Sequence, residues 1–204
     1  MNIFDRVVLL VTGLVAIYLL WRFWGRYSKG KALYDIYYML GFVVLLVSGL
    51  LLIFLGYKIL KSPYVLTVAT LIPLGISLGI ANQYYPQWKK AYAWFALIGF
   101  LAIAVTSIGG MIGIKGIAVP LFHGVAGLVI FLGPFFASKA AKGFWWVGIG
   151  GALIGLGGIA LAFLTAGAQL LFFSQSLVMT ILAPLLLLMT LAFTWGFVKD
   201  IKAA

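Results

Sequence analysis

The sequence predicts an all-α membrane protein, a seven-transmembrane-helix bundle with its N-terminus outside and its C-terminus cytoplasmic. Three observations predict it. The 204 residues are 65% hydrophobic and only 8% charged, with a mean hydropathy of +1.21, whereas soluble domains carry roughly a quarter of their residues as charges. The charged residues gather in short breaks between long apolar runs. Lys and Arg favour alternate breaks. A water-soluble domain of this size could not hide so much apolar surface, but a bilayer solvates it.

Seven runs reach the roughly 17–25 residues that a spanning helix needs. They fall near 7–24, 36–57, 64–83, 91–113, 118–137, 144–166 and 175–197, forming one integral-membrane domain over 1–204. The fourth and sixth breaks are the weakest, and losing either leaves six spans and removes the orientation argument. The first run carries its stronger positive flank after the apolar stretch, at Arg22, Arg26, Lys29 and Lys31, and no small-residue cleavage pattern precedes that flank. It therefore reads as a retained span rather than a signal peptide.

With seven spans, Arg22, Arg26, Lys29, Lys31, Lys89, Lys90, Lys139, Lys142, Lys199 and Lys202 collect on one side, against Arg6, Lys58, Lys61 and Lys115 on the other. The positive-inside rule makes the ten-residue side cytoplasmic. All seven tryptophans (Trp21, Trp24, Trp88, Trp94, Trp145, Trp146 and Trp195) lie at or near that side, as do all tyrosines except Tyr57 and Tyr64. An interfacial aromatic belt explains them most simply. Because belts normally form at both interfaces, an aromatic-walled cytoplasmic basin for a flat ligand or a partner helix is the second reading.

The formal charge of +11 is spread as singles and pairs beside apolar runs. That suits anionic lipid headgroups, each nearby Lys or Arg contributing about 1 kcal/mol, and it does not suit nucleic acid. Arg22, Arg26, Lys29, Lys31, Lys89, Lys90, Lys139 and Lys142 are the candidate lipid-facing cations. The chain has no cysteine, which excludes disulfides, thiolate metal sites and iron–sulfur clusters.

Small residues organise the sixth span. Gly148, Gly151, Gly155, Gly158 and Ala162 alternate +3 and +4, a stripe that lets helix backbones approach in lipid. Gly150 and Gly157 widen it. Gly75 and Gly79 do the same in the third span, after Pro73. Pro73, Pro134 and Pro184 should kink their spans, while Pro120 is placed at a helix start, where its missing N–H costs little.

Little chemistry remains. Asp5, Asp35 and Asp200 are the only acids and lie at span ends or termini, so paired-carboxylate hydrolysis, carboxylate metal sites and a midplane proton relay lack residues to carry them. No catalytic residue is assigned. A retinal-binding reading fails for want of a lysine in the seventh span. His123, one turn after Pro120 with Gly127 at i+4, could ligate a haem or a chlorophyll-type pigment as a single axial group. More often such a histidine bonds a neighbouring backbone or hydroxyl group. Lys115, His123, Thr165, Gln169, Ser174, Gln175 and Ser176 could line an outer vestibule, or simply end spans.

The leading expectation is a non-enzymatic subunit of a prokaryotic-type plasma membrane, packed through glycine-rich helices against lipid and a partner membrane protein or a second copy. A carrier or receptor for a small lipophilic ligand, such as a quinone or a pigment held by His123, is the alternative. Scattered span hydroxyls (Ser48, Thr67, Thr70, Ser77, Thr106, Ser107, Thr180, Thr190 and Thr194) leave a passive channel for neutral solutes as the third.

Overall fold

The computed structural model describes residues 1–165 and 175–203, and the side chains among them except those of 159–165, 175, 176 and 203. Ala162, Thr165, Gln169, Ser174, Gln175 and Ser176 thus have side chains outside the described set. Helices α1 (Ile3–Gly30) and α2 (Leu33–Leu55) are followed by a 3-10 turn, Tyr57–Lys61. The third span is split into α3 (Pro63–Ala69) and α4 (Leu71–Tyr84). Then come α5 (Lys89–Ile108), α6 (Ile112–Phe136), α7 (Trp145–Thr165) and α8 (Gln175–Ala203). Seven crossings result when α3 and α4 count as one.

Local chemistry explains the ends. Asn2 caps α1 by accepting from the Asp5 N–H at 2.7 Å, and Asp5 accepts back from the Asn2 N–H at 3.1 Å, a reciprocal capping box. Lys31 closes the helix in the left-handed conformation, φ 49°. Ser62 caps α3, with Pro63 in the first turn. Pro73 lacks the N–H that would bond Ala69, and the helix breaks just there, at Thr70.

Two expectations are corrected. The fourth break falls at Gly109–Met111, not at Lys115–Gly116, because Gly110 takes a positive φ of 67° that ends α5. Helix α6 consequently starts at Ile112, and Pro120 lies inside it rather than at its start. The remaining spans agree with the sequence reading within a few residues, except that α1 and α8 run past their apolar stretches at the basic end. At 28 residues, α1 is about 42 Å long, against about 30 Å of hydrocarbon.

Helices α1, α2, α4, α6, α7 and α8 close a ring, each touching the next, and α5 flanks α4 and α6. The core inside the ring is aromatic at the basic end: Phe23, Tyr38, Phe42, Phe144, Phe193 and Phe197 are all fully buried. Their rings meet at centroid distances such as 5.1 Å for Phe23–Phe197 and 4.7 Å for Tyr38–Phe197. Pro73 through Ser77, with Gly79, Ile80 and Ala81, are buried, eight of the fourteen residues of α4. Among the described residues, α4 has the largest buried share of any helix.

Glycines set the closest approaches. A Cβ at Gly75 would lie 2.8 Å from the Tyr37 carbonyl oxygen and 2.9 Å from the Gly41 nitrogen, so α4 and α2 touch through backbone. Gly79 accommodates the Tyr38 ring. On α7, Gly148 and Gly151 meet the α6 backbone at Phe131 and Ile130, whereas Gly150 and Gly157 receive Phe193 and Leu185 of α8. Gly158 meets His123. Gly155 departs from the expected stripe, since nothing lies within 4 Å of a Cβ placed there. Gly75→Ala and Gly151→Ala should each destabilise the detergent-solubilised protein by about 1–3 kcal/mol through overpacking against backbone. Gly155→Ala should leave the thermal midpoint unchanged or raise it.

Candidate functional site

Arg26, Asp35 and Asp200 come together inside the ring at the basic end. Arg26 sits on the last turns of α1, Asp35 on the first turn of α2, and Asp200 on the last turn of α8. Helices α1 and α8 run past their apolar stretches here, which brings Arg26 and Asp200 to the level of Asp35. Their side-chain exposures are 8%, 0% and 6%. Arg26 Nε donates to Asp35 Oδ1 at 2.8 Å, and Nη2 lies 2.7 Å from the same oxygen. Nη1 donates to Asp200 Oδ2 at 2.9 Å. The guanidinium lies over the rings of Tyr34 and Phe23, at 5.0 and 5.7 Å.

Helix α4 completes the cluster. Gln83 Nε2 donates to Asp200 Oδ2 at 2.9 Å and to the Tyr84 hydroxyl oxygen at 3.0 Å. The Tyr84 hydroxyl donates to Asp200 Oδ1, and Tyr38 donates to Gln83 Oε1 at 2.9 Å. Asp200 is thereby fully engaged, whereas Asp35 Oδ2 is buried without a hydrogen-bond partner. One cation between two carboxylates carries a formal charge of −1. Arg26 is the counter-ion of both.

Asp35 and Asp200 do lie at span ends, but the structure turns them into the bundle interior together with Arg26, which removes Arg26 from the lipid-facing cations. Charge count alone does not distinguish Arg26 from Arg22, whose guanidinium lies over the Trp21 ring at 5.9 Å. The available signal was placement: two of three acids sit on the strongly basic side, each within a helical run of aromatics. The aromatic excess divides the same way. Trp21, Trp24, Trp88, Trp94, Trp145 and Trp195 face outward with exposures of 43–66%, as a belt does, while Tyr34, Tyr38 and Tyr84 point to the ionic cluster.

A second feature lies in the other half of the same helices. Helices α1, α2, α3–α4 and α8 enclose a cavity of about 150 Å³. Ala16, Leu45, Gly49, Ile72, Leu182 and Leu186 are among its walls, and Ala69 brings the helix break to its edge. Thr12 and Ser48 are its polar wall residues, and the Thr12 hydroxyl already donates to the Val8 carbonyl at 2.9 Å. Ala16 is ten residues from Arg26, about 15 Å along α1.

His123 packs its imidazole edge on Gly158 of α7, with Nε2 3.0 Å from where a Cβ would stand. Apart from the helix's own backbone, no described atom lies within 4 Å of a Cβ placed at Gly127, so Gly127 forms no shared wall with the ring. Lys115 lies in the first turn of α6. Most span hydroxyls bond within their own helices: Thr67 to Pro63, Thr70 to Thr67, Ser77 to Leu74, Thr106 to Ala102, Thr190 to Leu186 and Thr194 to Thr190. Among the described residues, no three His, Cys, Asp or Glu side chains gather as a metal site would require.

Fold and site together define a multi-pass helical membrane bundle with a buried ionic cluster at one end and an apolar cavity within. Comparison with protein-family models, curated proteins and solved structures finds no match.

Arg26→Met strands two buried carboxylates, and loss of one partner from a buried ion pair costs about 3–5 kcal/mol. Asp35→Asn keeps an acceptor for Arg26 and removes the surplus negative charge. Thermal unfolding in detergent should therefore show a much larger loss for Arg26→Met than for Asp35→Asn; equal losses would contradict the assigned pairing.

Proposed function

We propose that the protein is a non-enzymatic membrane subunit that receives a small lipophilic guest between α1, α2, α3–α4 and α8. The cavity of about 150 Å³ beside the broken third span carries this reading. Dry apolar cavities of about that size accept benzene-sized groups, which matches the end of an isoprenoid or acyl chain, as on a quinone or a lipid. Discontinuous helices are tolerated in membranes where they border a cavity. The ionic cluster clamps the same helices at the opposite end, so the cavity end can part without breaking it. The aromatic core and the self-bonded hydroxyls give no support to a pore.

Gly49 offers a specific test, because it lines the cavity and a Cβ there meets nothing within 4 Å. Native mass spectrometry of protein taken from its own membranes should show a retained lipophilic molecule. Gly49→Leu should fold normally and lose it. Retention of the same molecule by the filled variant would remove the cavity as its site.

A partner membrane protein or second copy remains part of this reading because Gly113, Gly116 and Gly124 of α6 are exposed, with no neighbouring helix against them among the described residues. Small residues on an open helix face permit close helix–helix approach in lipid. By the charge rule, the end holding the ionic cluster is cytoplasmic. Since the chain has no cysteine, single replacements report orientation cleanly. Lys61→Cys should react with an impermeant maleimide on intact cells, and Lys139→Cys only after permeabilisation.

A further inference from the structure

A separate concavity of about 560 Å³ lies at the basic end, where the connection from α6 to α7 passes beside the end of α8. Lys142, Lys199, Phe135, Trp145 and Trp146 are among its walls. The two indoles stack with centroids 4.7 Å apart. Trp145 and Phe135 remain 43% and 48% exposed, the pattern of rings at a lipid boundary.

Lys199 is exposed and lies against the connection between α6 and α7. Its side chain crosses Gly143 so closely that a Cβ there would stand 2.8 Å from Lys199 Cδ, and Gly143 has a φ of 96°. Its ammonium lies 5.1 Å from the Trp195 ring. No Asp or Glu among the described residues lines the concavity. Asp200, the next residue after Lys199, faces inward and is occupied by Arg26, Gln83 and Tyr84. Two lysines therefore line one cradle, with the neighbouring carboxylate of Asp200 withdrawn. The first turn of α7 begins at the same wall, adding the positive end of its dipole.

We propose that this cradle binds the phosphate headgroup of an anionic phospholipid, with Lys142 and Lys199 facing the phosphate and Phe135 and Trp145 flanking the glycerol and upper acyl chains. The site is distinct from the interior cavity, and its occupant is distinguished by charge rather than by chain. A diffuse cationic belt would attract such lipids anywhere along the basic end; the cradle concentrates the preference at two lysines.

The test is native mass spectrometry of the purified protein offered an equimolar mixture of phosphatidylglycerol and phosphatidylcholine. Wild type should retain phosphatidylglycerol with a preference of about 30-fold, and Lys142→Gln/Lys199→Gln should bring that close to parity. Lys89→Gln/Lys90→Gln, on the same face outside the cradle, removes two cations of the general basic end and should lower the preference far less than the Lys142/Lys199 variant does. Gly143→Ala should reduce it although both lysines remain, because the new methyl displaces Lys199. An unchanged preference in the Lys142/Lys199 variant, or an equal loss in the Lys89/Lys90 variant, would overturn the proposal. Complete displacement of the lipid by soluble glycerol phosphate would also overturn it, assigning the cradle to a free phosphate compound.

Discussion

In a bilayer the burial of apolar side chains gives helices no reason to prefer one another to lipid, so polar pairing and close backbone contact decide the arrangement. Here the decisive pairing is Arg26 held between Asp35 and Asp200. It joins the ends of α1, α2 and α8, and Gln83 and Tyr84 extend it to α4. Four of the six ring helices therefore meet at one buried charge. A buried ion pair adds little net stability compared with well-packed apolar side chains, but a wrong pairing leaves an uncompensated charge. The cluster's physical contribution is thus to fix which helices meet, and in what register.

The packing around it follows from side-chain size. At the basic end, large rings fill the interior, and glycines on the facing helices make room for them: Gly79 for Tyr38 and Gly150 for Phe193. Further along the same helices, aliphatic and small residues leave the cavity beside the break before Pro73. One bundle therefore has a tight end and a looser end. Helices α5 and α6 lie to one side of this gradient, with many apolar side chains directed at lipid.

Much of the topology was legible because hydropathy, charge alternation and tryptophan placement all report on the same boundary between water and hydrocarbon. The fourth break illustrates the limit. Lys115 looked like the natural interruption, yet a lysine in the first turn of a helix can stay at the interface, and the Gly109-Gly110 pair actually turns the chain. Pro120 was misplaced for the same reason. The ionic cluster was hidden because charged residues near span ends look alike in sequence whether they face headgroups or the bundle interior. Arg22 and Arg26 are one turn apart, and only the tertiary direction of α1 separates their roles.

By itself, the sequence determined an all-helical, multi-spanning membrane protein with one strongly basic end, since these depend on residue type and linear spacing. Tertiary structure decided which charges are paired, which glycines touch a neighbour and where empty volume remains. Those properties depend on helix rotation and on partners far away in the chain, as with Arg26 and Asp200, 174 positions apart. Local sequence restricts neither strongly enough to specify them.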